Sequence, residues 1–103
     1  MNTGYRFTPE AAGDLSDIWS YIASDSVEAA NRVEEAIYDS CSFIAQAPLS
    51  GQVRMNLTNR QVRFWTVQRF PNYIIVFRPD TQPLQIVRIL HGKRNLQRIL
   101  GEG

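Results

Sequence analysis

Residues from which metal centres and covalent cross-links are built are scarce in this sequence. Its 103 residues include one cysteine, Cys41, and one histidine, His91. A single thiol forms no intramolecular disulfide, so nothing in the chain depends on an oxidising compartment. One thiol and one imidazole also fall short of the ligand set of a usual zinc site. No apolar run nears the roughly 20 residues that span a bilayer; the longest, Tyr73 to Phe77, is the size of a strand. The opening Met1-Asn2-Thr3-Gly4-Tyr5 has neither a basic nor an apolar leader segment. The expectation is a cytoplasmic protein with no cofactor, no metal and no membrane partner. At 11.8 kDa, with 44% hydrophobic and 20% charged residues, the chain has the length and composition of one folded domain over residues 1–103.

Lysine is scarce too: Lys93 stands against ten arginines. Arginine is favoured over lysine where planar, bidentate contacts to carboxylate or phosphate are made. The net charge of +1 conceals a division. Residues 1–50 carry two bases and eight acids, net −6, whereas residues 51–103 carry nine bases and two acids, net +7. Two readings follow: a basic surface that meets an acidic partner, or two halves that face each other within the domain.

Tyr5-Arg6-Phe7-Thr8 alternates as a short strand does. Thr8-Pro9 then reads as a threonine N-cap with proline in the first helical turn. Ala11, Leu15, Ile18, Trp19 and Ile22 recur at spacings of three and four and form a buried stripe, with Trp19 at its heart. Glu10, Asp14, Asp17 and Tyr21 take the solvent face. Asp25 with Glu28 three residues on resembles a second helix start. Ala30, Val33, Ile37, Cys41 and Ile44 form the stripe of that helix, which ends at Ala47-Pro48; Cys41 is expected to be inert packing. The short connection predicts an antiparallel helical hairpin.

Beyond Leu49-Ser50-Gly51, Gln52 to Arg60 reads as a connector or irregular strand, and the period then changes to two. Val62 to Phe70, Tyr73 to Arg78 and Leu84 to His91 are three strands joined by short turns, hence antiparallel. Arg94 to Leu100 has the spacing of a short helix that stops at Gly101. The expected fold is α+β: a two-layer β-α-α-β-β-β domain with the helical hairpin on a mainly antiparallel sheet and a short C-terminal helix. Strict alternation places Tyr73, Ile75 and Phe77 opposite Ile74 and Val76, and Leu84, Ile86, Arg88 and Leu90 opposite Val87, Ile89 and His91. Such strands are apolar on both faces and need cover on both. The hairpin covers one, and the other is expected to offer an apolar patch to a partner.

Four segments, in order, resemble the RelE/ParE toxin superfamily, and the last of them its ParE branch. These are Asp14-Leu15-Ser16-Asp17-Ile18-Trp19-Ser20-Tyr21-Ile22, Pro48-Leu49-Ser50-Gly51, Phe70-Pro71-Asn72-Tyr73-Ile74-Ile75-Val76-Phe77-Arg78, and Ile86-Val87-Arg88-Ile89-Leu90-His91-Gly92-Lys93-Arg94-Asn95. The resemblance implies the toxin of a type II toxin–antitoxin pair. It implies a small wrapping antitoxin, often with a ribbon-helix-helix DNA-binding end, and DNA gyrase as the target in the ParE branch. In the RelE branch it implies ribosome-dependent cleavage of messenger RNA. For RNA cleavage the chain offers Arg63, Arg88 and His91 as cations and proton carrier. Strand parity turns Arg88 away from His91, and the tail has no tyrosine and no second histidine. For protein contact it offers Arg94 and Arg98 toward the target, and Tyr21, Arg63, Trp65, Arg69 and Tyr73 toward the antitoxin. A plain nucleic-acid-binding or adaptor module is the third reading, although no RNP-like run, GXXG loop or zinc pattern is present.

Overall fold

The computed structural model describes residues 4–49, 52–53 and 62–92. The first strand, β1 (Tyr5–Phe7), leads directly into helix α1 (Pro9–Ala23). Thr8 caps that helix as expected: its Oγ1 accepts the Ala11 N–H at 3.1 Å and donates to the Val87 carbonyl at 2.8 Å. Helix α2 spans Val27–Gln46. Its N-cap is Ser26, not Asp25, since the Ser26 hydroxyl accepts the Ala29 N–H at 3.1 Å. The stripe of α2 is buried as expected at Ala30, Val33, Ile37, Cys41 and Ile44, and Ala36 and Ser40 widen it.

Four further strands follow: β2 (Gln52–Val53), β3 (Arg63–Thr66), β4 (Tyr73–Arg78) and β5 (Leu84–His91). The sheet order is β1-β5-β4-β3-β2, with β1 parallel to β5 and every other pair antiparallel. The α+β layout thus holds, with β2 as a short extra edge. Strands β4 and β5 have the expected limits. β3 stops at Thr66 rather than Phe70 because the chain turns early: Phe70 N–H donates to the Val67 carbonyl and Tyr73 N–H to the Phe70 carbonyl. Gly4 enters the sheet at φ 84°, in the left-handed region open to glycine. Its carbonyl accepts the Leu84 N–H, which starts the β1–β5 pairing.

The register corrects the parity of β5. Val76 pairs with Arg88 and Phe77 with Ile86, so Val87 is an extra residue, a β-bulge. Leu84, Ile86 and Ile89 therefore join Ile75, Phe77 and both helices in one cluster. Leu90 joins Val62, Phe64 and Val76 on the opposite face, with Ile74 and Val87 against it. Arg88 does not share a face with both Ile86 and Leu90, as strict alternation requires. The apolar second face is real, but the expected open patch is not: its four central residues are 0–7% exposed. The large apolar side chains exposed among the described residues lie elsewhere, at Tyr21, Val27, Tyr38, Phe43 and Leu49. Trp19 also departs from its expected place in the core. It is half-buried beside the core, its Nε1 donating to Asn31 Oδ1 at 2.9 Å and tying α1 to α2.

Candidate functional site

Strand β1 is paired over only three residues, so the outer edge of β5 lies uncovered past Ile86. Thr8, the N-cap of α1, and Asp14, in the second turn of that helix, occupy that edge. Asp14 was expected on the solvent face of α1, yet it receives three bonds there. Its Oδ2 accepts from Arg88 Nε at 2.7 Å and from the Ile89 N–H at 3.0 Å, and its Oδ1 accepts from Arg88 Nη2 at 3.0 Å. The Arg88 guanidinium is raised above its ordinary pKa, first by the hydrogen bond to Asp14. Two of its donors are thus committed to an internal carboxylate.

The other two residues of the ribonuclease set do not join it. Arg63 lies opposite Phe77 and His91 opposite Tyr73, at the two ends of β4. Four residues of strand separate those positions by about 13 Å. Arg63 Nη1 donates to the Leu49 carbonyl at 3.3 Å, and His91 meets Tyr73 edge-on, ring centroids 5.5 Å apart. The structure does not assemble Arg63, Arg88 and His91 around one point.

The residues proposed for partner contact are partly drawn together. Trp65 and Arg69 line an open groove of about 430 Å³ between β3 and α2, whose far wall includes Asp39, Ser40 and Phe43. Arg69 Nη2 bonds Asp39 Oδ2 at 3.0 Å across its rim. The Phe43 and Trp65 rings stand 5.1 Å apart, and Phe43 is 50% exposed. Trp65 Nε1 is sealed from water with no acceptor among the described residues. Tyr73 sits at one end of β4, Arg63 beside its other end, and Tyr21 lies exposed on α1. Arg94 and Arg98 lie outside the described residues.

Sequence reasoning missed Asp14, Asp39 and Phe43. Nothing local marks Asp14, whose partners are 74 and 75 residues away. Phe43 was detectable as an aromatic off the apolar stripe of α2. Both ion pairs among the described residues join an acid of the helices to an arginine of the second half of the chain, Arg88 in β5 and Arg69 in the β3–β4 turn. The acidic and basic halves therefore do face each other in part.

A second groove, of about 340 Å³, runs between the helices beside Phe7, Trp19, Glu34 and Tyr38. Burial is the leading cause that raises the phenol pKa values of Tyr5 and Tyr38, with Cys41 adding at the first and Glu34 at the second. Cys41 is fully buried and its thiol is pushed up to about 12, a packing group with no thiolate to offer. Among the described residues no His, Cys, Asp and Glu cluster could hold a metal ion, and no helix is long and apolar enough to cross a membrane.

Comparison with known proteins finds both a family and solved structures that this chain resembles. Residues 5–96 match the family model of the ParE toxin of the type II toxin–antitoxin system parDE. A solved chain described as the chromosomal ParDE TA system from P. aeruginosa is similar at 26% identity and a TM-score of 0.69, over 84% of this chain and 92% of that one. No curated protein matches.

Proposed function

The chain belongs to the ParE toxin family of type II toxin–antitoxin systems, and from that premise we propose that it arrests growth by binding DNA gyrase through protein contact until a cognate antitoxin covers it. The observation that carries contact over catalysis is the engagement of Arg88 by Asp14. A ribonuclease needs cations free to meet a phosphate and proton carriers beside it. Here one arginine is neutralised internally, and Arg63 and His91 sit at opposite ends of β4.

In this reading Arg94 and Arg98 reach the target. Tyr21, Arg63, Trp65, Arg69 and Tyr73 serve the antitoxin, a small chain with a ribbon-helix-helix end, and the encounter takes place in the cytoplasm. The similar solved chain from a ParDE system supports an antitoxin partner. The test compares two reactions of the antitoxin-free protein: gyrase supercoiling of relaxed plasmid, and messenger RNA integrity on translating ribosomes. Lost supercoiling or trapped cleaved DNA with intact RNA is the expected result. Cut RNA with normal supercoiling overturns the gyrase target in favour of the endonuclease alternative. If neither reaction changes, the fold stands and both proposed targets are given up.

A further inference from the structure

The groove between α2 and β3 is apolar along Ala36, Phe43 and Val67, and its rim charges, Asp39 and Arg69, cancel each other. Beside it the Trp65 indole N–H is withdrawn from water with no acceptor among the described residues. Proteins leave few buried donors unsatisfied, because each costs its desolvation without return. The other tryptophan shows the contrast: Trp19 spends its N–H on Asn31.

We infer that this groove is the seat of an antitoxin segment that inserts an apolar side chain against Phe43 and gives a main-chain carbonyl to Trp65 Nε1. The inference rests on the toxin–antitoxin reading and deepens it by naming a docking position and its chemistry. The demand of the groove is specific. It has an apolar wall and one unspent donor, so the complementary ligand is apolar with one acceptor. A nucleic acid finds little there, since among the described residues the rim carries one arginine, whose charge is balanced by Asp39. Because Nε1 is sealed, the carbonyl reaches it only through a local rearrangement of the groove wall, of which Phe43, half-exposed with its ring 5.1 Å from that of Trp65, is part.

The two indoles make the test internally controlled. The ¹⁵N-labelled chain is titrated with the purified product of the adjacent reading frame while both indole N–H signals are followed by NMR. Trp65→Phe and Trp19→Phe assign the signals. The expected result is that the Trp65 signal moves downfield on binding and the Trp19 signal stays in place. Trp65→Phe weakens binding about tenfold, the loss of one hydrogen bond, and Trp19→Phe leaves it unchanged. The retained Trp19 signal reports that Trp65→Phe is folded. Complex formation with the Trp65 signal unmoved, or with full affinity in Trp65→Phe, overturns the groove assignment alone. Failure of the unsubstituted chain to bind that product overturns the toxin–antitoxin reading beneath it.

Discussion

Asp14 and Arg88, 74 residues apart in the chain, meet through two hydrogen bonds of 2.7 and 3.0 Å, and the same carboxylate holds the Ile89 N–H. The carboxylate thereby does for β5 what a longer β1 would have done: it satisfies a strand edge that otherwise invites pairing with another chain. It also removes Arg88 from the supply of free surface cations.

Replacing Asp14 tests this directly. Asp14→Ala is expected to cost about 2 kcal/mol in urea unfolding, as for hydrogen bonds to a charged group. The figure is not higher because the Arg88 side chain is 38% exposed and regains water. Asp14→Asn, which keeps an acceptor for Ile89, is expected to lose about half as much.

The start of α2 separates two adjacent residues. Ser26→Ala removes the acceptor of the Ala29 N–H and is expected to cost about 1 kcal/mol. Asp25→Ala is expected to stay within about 0.5 kcal/mol. Equal losses in thermal melts of the two variants would return the cap to Asp25.

Cys41 gives a pH dependence of fixed sign. Its thiol ionises at about 8.5 when unfolded but is pushed up to about 12 when folded. Above the first value the unfolded chain binds fewer protons than the native one, so stability falls with rising pH across that window, by at most about 1.4 kcal/mol per pH unit. Below about pH 8 the thiol is protonated in both states and adds no pH dependence. Cys41→Ser should flatten the alkaline limb of the unfolding profile, and thiol reagents should label Cys41 only on unfolding.

Asp39 and Arg69 form the exposed counterpart, with side chains 68% and 55% exposed. Arg69→Ala or Asp39→Ala should change stability by no more than about 0.5 kcal/mol, read from denaturant midpoints. A loss comparable to that of Asp14→Ala would mark the rim pair as structural.

Arg94→Ala combined with Arg98→Ala should weaken growth arrest while leaving antitoxin affinity nearly intact. Undiminished arrest by the double variant would take both residues off the target surface.

The parts of the fold legible in the sequence are those with an unbroken period. The stripe of α2 repeats across 20 residues, and β4 and β5 are bounded by turn residues on both sides. The bulge at Val87 was not legible for a physical reason. From Ile86 to Leu90 four of five residues are apolar, and a strand apolar on both faces gives alternation nothing with which to register one inserted residue. Asp14 lies on the far side of the same limit: its position in α1 is local, but the strand edge it serves is set by tertiary pairing. Trp19 has stripe spacing, yet its indole N–H draws it to Asn31 and the margin of the core. At the candidate site the aromatic and the arginine of the groove were readable as residue types. Their meeting with α2 was not, because it depends on where the helix crosses the sheet.

The parallel pairing of β1 with β5 has a consequence for the order in which a ribosome delivers the chain. Tyr5–Phe7 emerge long before their partners, Leu84–Ile86, and the second bond of the Thr8 hydroxyl waits for Val87. Closing so long a loop is entropically costly and slows folding. A nascent or truncated chain that stops short of Leu84 has no place for its first strand and no cation for Asp14. The finished sheet, and any surface that depends on it, therefore exists only after Leu84 to Val87 have been made.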